Sequence, residues 1–399
     1  MPVNFQEIYT KIQEIGLGVR ERQERIENLR KHARSLFEAN AGELDYLRRV
    51  VEGAKEVDPN IRCALPLNEP LTTHLPAPGA TLNATLIAAD GSQIYPDRNL
   101  PIQYCLVNVG GIVMQLHSGK VTDVTTDSEL LLEDEWEALY GPATDGMVAL
   151  RRDFQERSKL EDLAKAYGNP IITITDGPMD LWEPKGFEEL KAFNQLIGQY
   201  LGVLSRLQNQ GITTAGYIDK PSENLVLRLL ELVNAQAQKE APASFRDYHP
   251  LRGVSDRWLY GENSEPLLEP GERSAVFAIQ SKSEKYYTGL LGLHFFYLNV
   301  GTQRHPWPVR VEIPKWVADD PDKLNLLHAV LVDQCRMMGS KPYPYLLHRA
   351  HEIAVVKQDE KYQVEQMLAG ELRRQGEKLD EISGKQSAKD RGGRTAYKR

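Results

Sequence analysis

Two aspartates carry the first chemical signal in this sequence. Each follows an apolar, strand-like run and each precedes a glycine: Asp90-Gly91 after residues 81–89 (TLNATLIAA), and Asp176-Gly177 after residues 171–175 (IITIT). A carboxylate at the C-terminal end of a buried strand sits on rigid scaffold at the rim of a sheet. Two such strands side by side bring two carboxylates together, and like charges at that range oppose one another unless a cation lies between them. An oxygen-rich site of this kind suits Mg²⁺ or Mn²⁺. Asp-Gly is also a common turn pair, so plain turn chemistry is the competing reading of each dipeptide.

A third acid would complete a metal site, and the helical stretch ahead of Asp176 (LRRDFQERSKLEDLAKAY) offers two. Glu156 shares a helical stripe with Leu160, Leu163 and Tyr167, so it points inward with the apolar face. An inward glutamate needs a partner, and either a metal or Arg152 one turn back would serve. Glu161 is the competitor. A fourth piece is KPYPYLLHRAHE, where Tyr343 and Tyr345 alternate with Pro342 and Pro344 on an extended path. His351 follows on the next helix as a ligand, a proton carrier or a core histidine. Other motifs fail. Leu379 stands where a P-loop needs its first glycine, and Val355 stands where H-E-x-x-H needs its second histidine. There is no G-x-S-x-G elbow.

The elements that must position these groups read as an α/β arrangement. Residues 101–109 and 111–118 look like two strands joined by Gly110-Gly111, and 129–140 and 147–167 look helical. A helix over 186–208, a strand over 213–218 and a helix over 222–238 follow. Ahead of them, Ile8, Ile12, Ile15, Val19, Ile26, Leu29, Ala33 and Leu36 step as a heptad seam. Residues 1–57 therefore form a coiled-coil-like helical arm, packing on its own body, a second copy or another protein. Residues 58–80 carry five prolines and read as a linker, 81–370 as the main domain, and 371–399 as a basic tail expected to be disordered.

The chain has 399 residues, 41% hydrophobic and 26% charged, with a net charge of −8. This is ordinary for a globular protein and excludes collagen-like and wholly disordered classes. Its acidity argues against a generic nucleic-acid coat but leaves room for a local basic groove. Three well-separated cysteines argue against a disulfide scaffold, and no apolar run of about 18 residues predicts a membrane span. The N-terminal stretch lacks a signal h-region, so a cytoplasmic location is expected.

Taken in order, the AADGS strand end, the RRDFQE helix, the ITDGPM strand end, GYIDKP and the closing PYPYLLHRAHE resemble the NurA nucleases from about residue 80 to 365. The resemblance implies an RNase H-like mixed sheet flanked by helices. It implies Mn²⁺- or Mg²⁺-dependent cleavage of DNA, with 5′–3′ exonuclease and single-strand endonuclease activity on single strands and duplex ends. It implies a HerA-like hexameric ATPase partner in DNA end resection, and a homodimer. By match of motif, Asp90, Glu156 and Asp176 take the family's acidic metal positions, with His351 beside them as a further ligand, and Tyr343 and His351 take its tyrosine and histidine near the metal. Two other classes compete: a non-catalytic adaptor docking on a ring ATPase, and a metal-dependent phosphatase, which DGS in place of D-x-D disfavours.

Overall fold

The computed structural model describes residues 4–79, 82–97, 102–184, 186, 189–238, 244–263 and 265–376. Most of the expected basic tail, 377–399, lies outside them. In chain order the chain forms α1 (Phe5–Leu17), α2 (Val19–Ala39), α3 (Leu44–Val57), β1 (Cys63–Pro66) and β2 (His74–Pro76). Then come β3 (Thr85–Ile94), β4 (Tyr104–Gln115), β5 (Asp123–Leu132), α4 (Glu133–Tyr140), α5 (Asp145–Ala164), β6 (Ile171–Asp176), α6 (Glu189–Asn209) and β7 (Thr213–Ile218). The remainder is α7 (Leu225–Ala237), α8 (Asp256–Tyr260), β8 (Glu272–Ser274), β9 (Phe277–Gln280), β10 (Leu293–Asn299), β11 (Pro308–Pro314), α9 (Lys315–Ala318), α10 (Pro321–Met337), α11 (Tyr345–Ala354) and α12 (Gln358–Arg374). Two compact units divide these elements: residues 1–80 with 217–342, and residues 81–216 with 343–399.

The second of these units holds the candidate site. Its strands lie in the order β7-β6-β3-β4-β5, with β3, β4 and β5 an antiparallel meander and β6 parallel to β3. A meander followed by a parallel strand beside its first member is the RNase H-like arrangement. β3 is buried on both faces over residues 85–89, which is why its sequence is a continuous apolar run rather than an alternation. Leu86 and Ile87 are wholly inaccessible, each contributing roughly 1.5–3 kcal/mol by burial.

Two local expectations are corrected here. Gly110-Gly111 does not join two strands: β4 runs straight through both glycines, paired with β3 from Gln115 back to Leu106. The glycines serve packing. A Cβ on Gly110 would lie 2.8 Å from Ile353 Cγ2 and 2.9 Å from the Ala354 backbone nitrogen, whereas one on Gly111 would lie 2.7 Å from Leu163 Cδ1. Successive strand residues point to opposite faces, so α11 covers one face of the sheet and α5 the other. Likewise, residues 129–132 are not helical but close β5, pairing with Tyr104 to Val107. This edge strand is largely solvated, and its polar, glutamate-bearing sequence imitates a helix.

The other unit carries the order β1-β9-β10-β11 with antiparallel pairing, and β2 pairs with β8. The Pro-rich stretch 58–79 thus supplies two strands. Phe277, Phe295, Tyr297 and Tyr260 form its aromatic core, with Tyr260 and Tyr297 stacked 4.6 Å apart. The N-terminal arm is not one helix: Gly18 separates α1 from α2. Glycine carries the largest backbone entropy of any residue and readily ends a helix. α2 buries Ala33 and Phe37, and α3 buries Leu47, Val50, Val51 and Ala54 against the unit's own helices. Phe5, Ile8, Tyr9 and Ile12 on α1 are exposed.

Candidate active site

Asp90 does not end its strand. β3 continues to Ile94 with every residue paired to β4, so Asp90-Gly91 is not a turn. What ends at this point is the pairing with β6, whose last partners are Ala89 and Thr175. Carried one residue further, that register sets Asp176, the last residue of β6, beside Asp90. Neighbouring strands run about 4.8 Å apart. The chain does turn after Asp176, where Gly177 takes φ 90°. The two Asp-Gly pairs therefore do different things. One stays in a strand whose edge has just been freed, and the other is a true exit.

Asp90 sits opposite Gly110 in the β3–β4 ladder, so its side chain lies on the α11 face. There Asp90 Oδ2 meets His351 Nδ1 at 2.7 Å. A carboxylate oxygen accepts in such a pair, with the imidazole Nδ1–H donating. The placement of α11 is held by a pair that the sequence did not single out. Ser92 and Asn108 face each other across the ladder, and both donate to the Ala354 carbonyl, at 2.5 and 2.7 Å. The serine of DGS is thus an anchor for the end of the helix that brings His351.

Glu156 approaches from the α5 face. Its Oε1 would lie 2.8 Å from a Cβ on Gly91, and Arg152 Cγ would lie 2.5 Å from it. Only glycine there lets both side chains cross the strand next to Asp90. Glu156 is 5% exposed and pairs with Arg152 Nε at 3.2 Å, the partner that an inward glutamate on this stripe calls for. Asp153, one turn earlier, accepts from Arg152 Nη2 at 2.7 Å. Asp153 was not singled out in the sequence, although its i, i+3 spacing to Glu156 was the available signal.

The electrostatics follow from this crowding. Burial, then Asp153, then Asp90 push the Glu156 carboxyl well above its usual range, and Arg152 offsets only part of that. Burial also raises Asp153. Burial works against the Arg152 charge, yet Asp153, Glu156 and Asp90 together hold the guanidinium above its ordinary value. Arg152 is thus secured as a cation, whereas the buried Glu156 carboxyl remains short of positive charge. A buried carboxylate short of positive charge, beside two further acids, has the donor chemistry of a divalent oxygen-ligand site. Among the described residues, no group of three or more His, Cys, Asp or Glu is already drawn together to hold a metal. The fit therefore lies in the hard oxygen donors and their backbone placement, with Arg152 and His351 now taking the acids' hydrogen bonds.

The rest of the expected residues fall elsewhere. Glu161 forms a two-pronged pair with Arg206, at 2.8 and 2.8 Å, and is accounted for there. Tyr343 is half-buried, two residues before α11. Arg151 on α5 is held by two bonds to Glu129, at 3.0 and 2.7 Å. Arg349 is paired with Glu352.

The chain is matched by the family model of the NurA domain over residues 84–356. No curated protein matches it. Similar solved structures include Drosophila Piwi, at 13% identity and TM-score 0.29 over 67% of this chain. The chain spans only 29% of the Piwi chain's length. LC9-RNase H1, a type 1 RNase H with the type 2 active-site motif, is 12% identical with TM-score 0.20 over 42% of this chain and 78% of its own. The NurA domain supports a nuclease, and it covers every element that carries the acidic rim and its histidine. On that match, with the strand order already described, this chain belongs to the NurA family.

Proposed function

We propose that the protein is a divalent-metal-dependent deoxyribonuclease that hydrolyses phosphodiester bonds, as a 5′–3′ exonuclease and a single-strand endonuclease. The observation that supports this reading is the β3–β6 register, whose last pair, Ala89 and Thr175, immediately precedes Asp90 and Asp176. Glu156 reaches the β3 edge past Gly91, and His351 reaches it from α11. Asp90, Asp176 and Glu156 would hold Mn²⁺ or Mg²⁺, with His351 as a further ligand. A divalent ion at such a site supplies Lewis acidity and neutralises charge developing on the phosphate.

The chain's own groups do the remaining work. With no ion bound, Asp90 holds His351 at the rim through Nδ1, a contact the histidine would give up on becoming a ligand of the same ion. Tyr343 would position a phosphate or stack on a base. The net charge of −8 makes DNA binding local and strongly salt-dependent. We assign the protein to DNA end resection with a HerA-like ATPase, as a homodimer in the cytoplasm. The exposed apolar residues of α1 and the three free cysteines accord with partner docking and a reducing compartment.

The test is incubation of purified protein with end-labelled single- and double-stranded DNA in Mn²⁺, Mg²⁺ or chelator. Metal-dependent degradation is expected from the wild type, and none from Asp90→Ala or Asp176→Ala with unchanged circular dichroism. Full activity in either variant, or in chelator, overturns the reading. Hydrolysis of small phosphomonoesters without DNA cleavage would favour the phosphatase class instead.

A further inference from the structure

The Arg152 guanidinium is bonded on three sides at the acidic rim. Nε and Nη2 donate to Asp153 Oδ1 at 3.2 and 2.7 Å, Nη1 donates to Gln93 Oε1 at 3.1 Å, and Nε lies 3.2 Å from Glu156 Oε1 as an ion pair. Gln93 belongs to β3, three residues beyond Asp90, and its amide in turn donates to the Tyr95 hydroxyl at 2.7 Å. Both the aim and the position of the guanidinium are thus fixed by the strand that carries Asp90. The stem of the side chain crosses β3 over Gly91, where any Cβ would collide with it. Its side chain is only 28% exposed, so its charge acts in a poorly screened environment.

We propose that Arg152 is the built-in counter-cation of the acidic rim. Without a divalent ion it balances Glu156 and Asp153, and a bound ion releases Glu156 from it. The inference rests on the metal-site reading above. Two facts favour it over a simple helix-surface ion pair. Glu156 is nearly inaccessible, and a buried carboxylate stripped of its ion-pair partner is strongly destabilised. The arginine also bonds to a residue of β3 as well as to its own helix, so it is placed by tertiary structure rather than by i, i+4 spacing alone. Once Glu156 turns to a divalent ion, the guanidinium keeps its bonds to Asp153 and Gln93.

The test is thermal unfolding of the full chain in chelator and in Mn²⁺, together with calorimetric titration of Mn²⁺. Arg152→Gln is expected to lower the melting temperature by roughly 5–10 °C in chelator and by much less in saturating Mn²⁺. It should also bind Mn²⁺ roughly tenfold more tightly, because the competing cation is gone. Arg152→Lys should stay near the wild type in chelator. The double variant Arg152→Gln/Glu156→Gln should recover stability in chelator, which keeps the proposal testable if the single variant does not fold. Equal losses for Arg152→Gln with and without Mn²⁺, or no recovery in the double variant, overturn it. A wild type that Mn²⁺ neither stabilises nor binds overturns the metal-site reading and this inference with it. A wild type that does bind, beside an unchanged Arg152→Gln, overturns this inference alone.

Discussion

Asp90 and Gly110 face each other across the β3–β4 ladder, and the missing side chain at Gly110 is what lets α11 close over Asp90. The nearest atoms to a Cβ at Gly110 include the Ala354 nitrogen at 2.9 Å and the Ala350 carbonyl at 3.0 Å, both backbone. Backbone cannot yield as a side-chain end can. The contact between acid and histidine therefore depends on a residue that takes no part in the chemistry.

Gly110→Val should push α11 off the sheet and separate His351 from Asp90. Overpacking of this kind costs about 1–3 kcal/mol. Urea unfolding should show that loss, and DNA cleavage should fall far more steeply than the folded fraction. A variant as active as the wild type would show that the α11 contact is dispensable.

Glu156 and Glu161 are both buried on α5, but they have different surroundings. Glu156→Gln should abolish metal-dependent cleavage, by about 10³-fold or more if the carboxylate holds the ion. Glu161→Gln should leave cleavage within a few-fold, because Glu161 bonds Arg206 away from the rim. Initial rates on single-stranded DNA for the two variants decide it. The reverse order of effects would move the site one turn along the helix.

His351 is 62% exposed on its side chain, so replacing it should disturb folding little. His351→Ala should slow turnover by about 10²-fold, the usual scale for a lost proton-transfer or orienting group. Single-turnover rates beside unchanged melting temperatures would check this. A drop in stability with no change in rate would make the histidine structural.

His328, in α10, is buried, and its Nε2–H donates to the Gly271 carbonyl at 2.8 Å. Burial, aided by Arg273, pushes its pKa down to about 4 from an ordinary 6.5. Between those values the unfolded chain binds a proton that the native state refuses. This group therefore withdraws stability as pH falls from 6.5 to 4, by roughly 3 kcal/mol in all, and contributes nothing to the slope above 6.5. His328→Gln keeps a donor for Gly271 and should flatten that part of the curve. Melting temperatures of the two proteins across pH 4 to 8 measure the difference.

Much of this protein is written in local pattern. The strand before Asp176, the inward stripe of α5 and the strand over 213–218 follow from burial and period alone and appear where those rules put them, whereas the strand before Asp90 begins only at Thr85 within the expected 81–89. Three decisions belong to tertiary structure. Asp90-Gly91 and Asp176-Gly177 are the same dipeptide, yet only the second turns, because β4 pairs past Asp90 whereas Asp176 is the last residue of its strand. Gly110-Gly111 reads as a break, yet it is the flat seat for helices more than 40 residues away on both faces. Glu156 and Glu161 are both buried on one helix; the stripe favours Glu156, but that Glu161 is taken up by the distant Arg206 and Glu156 packs against β3 is decided by tertiary structure. Local sequence sets period and propensity. Which partner fills a given face is set by long-range packing, and the acidic rim depends on that choice.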